Sequence, residues 1–171
     1  MASIREVSSE ELDTLLKLAI KIFTDAFGKE NNPNDLKTYI DEAFTEEKIE
    51  SEFAEIGSQF FVAYEEGQMI GYARVRENDE PNFLLGKNNL ELQRLYVDLP
   101  FQGMGIAKQL MDECEAFAKS KNKEWLWLGV WEHNYKAQHF YQKNSFKKFS
   151  EHQFTLGSDV QTDWLMKKKL R

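Results

Sequence analysis

The chain is poor in the residues that mark several whole classes of protein. It has one cysteine, Cys114, in 171 residues, so no internal disulfide can form, and its three dispersed histidines give no recognisable zinc pattern. No metal is therefore expected. A chain without disulfides fits a reducing cytoplasm. No apolar run is long enough to span a bilayer, and the N-terminus, MASIREVSSEEL, lacks the basic-then-apolar layout of a signal peptide. There is no internal repeat, linker or low-complexity tract. What remains is an ordinary globular composition, 42% hydrophobic and rich in aromatics, expected to form one domain over 1–171 with a proper core.

An excess of basic charge is also missing. Net charge is −7, and residues 1–60 hold 14 Asp/Glu against 6 Lys/Arg, whereas the other 111 residues hold 15 against 16. That balance argues against nucleic acid as a partner and is compatible with a cationic substrate. A solvated helical surface accounts for the same charges.

Periodicity divides the chain into alternating elements. Ser3 to Val7 reads as a first strand. A helix follows, capped at Ser8 or Ser9 with Glu11 in the capping-box position and burying Leu12, Leu15, Leu16, Ala19, Ile22, Phe23 and Ala26 up to a stop at Gly28. Pro33 marks a break before a second helix with Leu36, Tyr39, Ile40, Ala43 and Phe44 apolar. Thr45 caps a third helix, Glu46 to Ile56. Gln59 to Tyr64 and Met69 to Arg76 read as strands of a hairpin around Glu65-Glu66-Gly67-Gln68, and Glu77 to Asn89 reads as a surface loop. Leu90 to Val97 is a strand, then come a glycine loop and a helix with Ile106, Leu110, Met111, Cys114, Phe117 and Ala118 on one face. Trp125 to Trp131 is apolar throughout, as expected for a strand covered on both faces, and closes a right-handed βαβ unit. His133 to Asn144 reads as a helix, followed by two closing strands, Phe146 to Leu156 and Gln161 to Lys169.

The loop Gln102-Gly103-Met104-Gly105-Ile106-Ala107 is the most informative stretch. A strand, a glycine loop and a helix together aim free backbone N–H groups and a positive helix end at an anion. Two glycines remove the Cβ atoms that would keep a phosphate away. The loop lacks the Gly-Lys-Ser/Thr of an ATP or GTP site, and its spacing misses G-x-G-x-x-G.

The element order and two local motifs resemble the GNAT superfamily of acetyl-CoA-dependent N-acetyltransferases. Gln102 to Ala107 fits its Q/R-x-x-G-x-G/A pyrophosphate loop. Asn134-Tyr135-Lys136-Ala137 and Phe140-Tyr141-Gln142-Lys143-Asn144-Ser145-Phe146 fit N-x-x-A and FY-x-K-x-G-F, with Ser145 where glycine is usual. Over nearly the whole chain, Ser58 to Phe61, Trp127 to Glu132 and Gln161 to Asp163 resemble the PaiA-type spermidine/spermine N-acetyltransferases. The resemblance implies an α/β fold with a mixed central sheet of about seven strands, flanking helices and a βαβ unit for acetyl-CoA.

The resemblance also implies the site. Amides of Gln102, Gly103, Met104, Gly105, Ile106 and Ala107 would hold the acetyl-CoA pyrophosphate, and the main chain of Leu95, Tyr96 and Val97 the pantetheine and acetyl carbonyl. Tyr141 would protonate the leaving thiolate, and Glu91 would serve as base, a role that some family members leave to water. Asn134 would contact the pantetheine arm or cap its helix, and Lys143 would approach the CoA phosphates. Asp25, Glu30, Asp35, Tyr39, Glu77 and Asp79 lie in segments that can border a polyamine groove. Three functions stay open: acetylation of a small amine, foremost a polyamine; acetylation of a peptide or protein amine; and non-catalytic acetyl-CoA binding by a regulator. No membrane partner is implied, and small enzymes of this type often pair, which leaves room for a homodimer.

Overall fold

The computed structural model describes residues 2–170. Seven strands form one sheet in the order β1-β2-β3-β4-β5-β7-β6. They are β1 (Ser3–Glu6), β2 (Gln59–Glu65), β3 (Gln68–Arg76), β4 (Asn89–Val97), β5 (Trp125–Trp131), β6 (Lys147–Leu156) and β7 (Asp159–Lys169). Every neighbouring pair is antiparallel except β4 and β5, which run parallel and are joined through the helix α5, Ile106–Ser120. The mixed sheet expected from the sequence is thus present.

Helices cover both faces. On one, Leu110, Met111 and Cys114 of α5 are fully buried against Leu90, Leu92, Leu126 and Leu128. Each of the two larger side chains contributes about 2 kcal/mol by leaving water. On the other, Leu15, Ala19 and Ile22 of α1 (Leu12–Phe27) pack on Phe60 and Val62 of β2 and on Tyr72 of β3. The helices α2 (Pro33–Ala43) and α3 (Glu46–Ala54) extend that layer, and Asn32 and Thr45 cap them through side-chain oxygens.

Several boundaries differ from the sequence reading. Ala26 is exposed, and the next residue, Phe27, turns inward instead, 4.5 Å from the Phe23 ring. Ile56 lies beyond α3 and is almost wholly exposed. The 77–89 segment is not all loop, because Asn82–Leu85 makes one helical turn, α4. Leu85 is buried there against Trp127, and Asn89 fastens the turn by donating to Asn82 Oδ1 and to the Gly86 carbonyl. The helix expected from His133 begins at Tyr135 (α6, Tyr135–Lys143).

Candidate active site

The site is organised by a fault in the sheet. β4 and β5 pair only where Asn89, Leu90 and Glu91 face Trp125, Leu126 and Trp127. Further along, β4 keeps β3 and β5 keeps β7, but neither pairs with the other. The cause lies on β4. Arg74 pairs with Arg94 and Val75 with Leu92, so Gln93 is an extra residue that bends the strand away. Leu95, Tyr96 and Val97 therefore present one edge with no strand partner, a row of backbone groups open to an extended ligand. β5 is open opposite them, with Gly129 exposed, so it is not covered on both faces along its full length as its apolar sequence suggested.

The glycine loop lies at the end of that edge. Gly103 and Gly105 both take left-handed backbone, at φ +82° and +81°, and the space where a Cβ would project is clear to 4 Å at each. Gly105 is the N-cap of α5, so the loop amides and the helix end converge on open space. Gln102 ties the loop down. Its Nε2 donates to the Val97 carbonyl at 3.0 Å, and its Oε1 accepts from Lys136 Nζ of α6 at 2.9 Å. Beneath it, the buried Asp98 accepts from Lys21 Nζ at 2.5 Å and from the Leu99 amide at 3.0 Å. The arrangement fits a pyrophosphate, with a cation beside the cradle and no side chain inside it. Lys108 is engaged with Asp112, and Lys143 is exposed on the last turn of α6.

Tyr141 is held by the way α6 ends. The Phe146 amide donates to the Tyr141 carbonyl and the Ser145 amide to the Gln142 carbonyl, the two bonds of a Schellman turn. Buried Phe146 then packs on the Tyr141 ring at 5.7 Å. Such a turn needs a left-handed residue, and Ser145 supplies it at φ +74°. Ser145→Gly is accordingly expected to stabilise the fold by about 1 kcal/mol, the cost of a Cβ in that conformation less the glycine's added chain entropy. Urea titration of both proteins checks it. Asn134 caps the start of α6, accepting from the Ala137 amide at 3.2 Å.

The Tyr141 hydroxyl has no hydrogen-bond partner among the described residues. Burial, with Tyr96 and Cys114 adding, pushes it well above the ordinary tyrosine value. It therefore holds its proton at neutral pH. The same surroundings push the Cys114 thiol up as well, chiefly by burial. A phenol that keeps its proton in such surroundings can donate to an anion beside it.

The opposite face of the open strands is polar. Glu91 is buried, and its Oε1 accepts from Arg76 Nε at 2.5 Å and from Asn78 Nδ2 at 3.1 Å. Arg94 forms two bonds to Glu52 of α3, at 2.9 and 2.7 Å, and the wholly buried Arg74 binds Gln93 and Glu55. These pairs lock the bulge to α3. Tyr39, Tyr72 and Tyr96 surround Arg94, and burial foremost raises all three phenols, Tyr96 to about 12.

Of the six residues expected to border an acceptor groove, only Tyr39 joins this group. Asp25 pairs with Lys21, Asp35 holds the β6–β7 turn through Ser158, Glu77 pairs with Lys123, Asp79 accepts from Asn82, and Glu30 is exposed. A cleft of about 370 Å³ beside Tyr39, lined also by Thr38, Glu42 and Gly157, shares no residue with the glycine loop.

Residues 16–146 match the model of the acetyltransferase (GNAT) family. The chain belongs to the GNAT acetyltransferase family. An uncharacterized N-acetyltransferase in the pepI 3′ region of Lactobacillus delbrueckii subsp. lactis is 39% identical over 169 residues, covering 96% of this chain and 95% of that one. The spermidine N(1)-acetyltransferase of Thermoplasma acidophilum is 28% identical over 148 residues, 84% of this chain and 87% of its own. The crystal structure of the PaiA N-acetyltransferase from the same organism, in complex with coenzyme A, superposes with a TM-score of 0.80 at 26% identity, covering 99% of each chain.

This GNAT protein is an N-acetyltransferase with acetyl-CoA as co-substrate. Among the described residues, no helix is long and apolar enough to cross a membrane, and no group of three or more His, Cys, Asp or Glu could hold a metal. Sequence reasoning missed two parts of the site. Lys136 stands inside the N-x-x-A motif, and only its distance from Gln102 reveals the brace. The Gln93 bulge has no local signal, since it exists only as a register between two strands.

Proposed function

We propose that the enzyme moves the acetyl group of acetyl-CoA to a primary amine, foremost a polyamine such as spermidine or spermine, by direct attack, with residues 1–171 acting as one catalytic domain. The observation that carries the reaction is the meeting of an open β4 edge, an unfilled glycine cradle and a protonated Tyr141 at one end of the sheet. The acceptor class is supported by the spermidine N(1)-acetyltransferase relative and by the acidic first sixty residues. One buried cysteine, with no membrane-length helix among the described residues, is compatible with a cytoplasmic location.

When bound, acetyl-CoA supplies a thioester carbonyl. Loop amides from Gln102 to Ala107 bind the pyrophosphate, Lys136 and Lys143 add positive charge, and Asn134 fixes the start of α6 along the pantetheine path. Backbone groups of Leu95, Tyr96 and Val97 orient the pantetheine and polarise the carbonyl, the oxyanion role. Tyr141 holds its proton at the hydroxyl for the departing sulfur. Glu91 accepts the amine's proton through water, using Oε2, which no described residue occupies as a donor.

Thiol release with spermidine, spermine, a small monoamine and a basic peptide tests the acceptor. The highest kcat/KM is expected for the polyamines, and a peptide preference would replace them. For the base, Glu91→Gln is expected to shift or remove the acidic limb of the pH–rate profile. An unchanged profile would take Glu91 out of the reaction and leave water in its place.

A further inference from the structure

Asp163 of β7 stands between Trp131 of β5 and His152 of β6 in the sheet register. Its Oδ2 lies 3.3 Å from His152 Nε2, while His152 Nδ1 reaches Glu80 Oε1 at 2.9 Å. The three side chains thus form a line running from the sheet to the loop after β3. Asp163 is mostly buried, and its Oδ1 has no donor among the described residues. Gly129 makes room for the line. A Cβ there would sit 3.5 Å from Asp163 Oδ2 and 3.6 Å from His152 Nε2, so any longer side chain would enter the same space.

This carboxylate belongs to the open end of the sheet. Gly129 is the exposed residue of β5 where it has parted from β4. The negative charge of Asp163 is felt at the Tyr39 and Tyr96 phenols, and Tyr96 is felt at Tyr141. Nothing in the roles assigned above uses Asp163, His152 or Glu80.

We propose that Asp163 is the anchor for the acceptor's ammonium group, and that His152 and Glu80 are positioning residues that hold it. Two carboxylates on one imidazolium leave a net negative charge to meet a cation. Hydrogen bonds to Asp163 first and Glu80 second raise His152 to about 9, so at neutral pH it donates from both nitrogens and fixes Oδ2. Oδ1 is left for the ligand. The proposal rests on the amine-acetylation reading and narrows its acceptors to amines that arrive charged.

Steady-state kinetics at neutral pH with spermidine and with aniline, an uncharged amine, form the test. Asp163→Asn is expected to raise the spermidine KM by about 10- to 100-fold, the range for removing a charge-assisted hydrogen bond, with kcat and the acetyl-CoA KM within about threefold. Aniline turnover should not change. His152→Ala should raise the spermidine KM by about 3- to 10-fold, because Asp163 keeps its own bond to the ligand but loses the donor that fixes Oδ2, and His152→Gln, which keeps a donor, should recover most of it.

An unchanged spermidine KM in Asp163→Asn would overturn the proposal, as would a fall in kcat at constant KM or an equal loss with aniline. Melting temperature and CoA affinity report folding. Should Asp163→Asn not fold, the two His152 variants decide by the same KM ratio. If the wild type turns over neither amine, spermidine binding to its CoA complex by calorimetry decides. Binding lost in Asp163→Asn then supports the anchor while the transfer reading alone fails, and binding retained in the variant, or none in the wild type, overturns the anchor.

Discussion

Gly105→Val is expected to weaken CoA binding by about 100-fold. Two effects act together. Gly105 sits at φ +81°, where a side chain costs about 1–2 kcal/mol and a β-branched one is least tolerated. The loop then either keeps its shape under strain or turns its amides away. A valine side chain also enters space that is empty to 4 Å and that the proposed site gives to the pyrophosphate. Losing two charge-assisted amide bonds removes about 3 kcal/mol, which is the stated loss of affinity. Calorimetric titration with CoA measures it. Met104→Ala is the matched control, because the exposed Met104 side chain contributes nothing that its amide does not. A Gly105→Val affinity within threefold of the wild type would mean that the phosphates bind elsewhere.

Tyr141→Phe is expected to lower kcat by about 100-fold or more, within the usual range for a positioned proton donor, while the acetyl-CoA KM stays within threefold. The hydroxyl has no described partner, so its removal should leave stability nearly unchanged. The ring contacts with Phe146 and Phe140 are kept. Because burial raises the phenol well above its ordinary value, the group stays protonated through the alkaline range. The wild type should therefore show no loss of kcat attributable to this tyrosine as pH rises to its ordinary titration range. Stopped-flow thiol detection in both proteins reads the two effects. Full turnover in a folded Tyr141→Phe would assign the thiolate's proton to solvent.

How far the site could be read from sequence follows from the range of each interaction. The glycine loop, the Asn134 cap and the turn at Ser145 are local. Left-handed backbone, a side-chain oxygen three residues before an amide, and apolar spacing all leave marks within a few residues. They were legible, and the structure places the serine in the strained conformation that its position demanded. The opening between β4 and β5 was not. It depends on Gln93 being surplus to the register with β3, and on Glu52 of α3 and Glu55 just after it reaching two arginines on adjacent strands. The surface carboxylates divide in the same way. Asp25 and Asp79 have partners within four residues, Lys21 and Asn82, whereas Asp35 and Glu77 meet Ser158 and Lys123 only through the fold. Asp163 was named as part of a resembling stretch, but its neighbours His152 and Glu80 come from a different strand and a distant loop.

In the proposed reaction the amine attacks the thioester directly, and the chain's one cysteine is no ready nucleophile for the acetyl group. Cys114 is fully buried, and its thiol is held in the protonated form. Direct transfer in a single step is tested by mixing the protein with acetyl-CoA, first alone and then with spermidine, while following free thiol, protein mass and amine mass. The expected result is an unmodified protein and no thiol burst without amine, then one thiol released for each N-acetylated amine. An acetylated protein formed before the amine is added would contradict direct attack, and tight CoA binding with no thiol released by any amine would contradict catalysis itself.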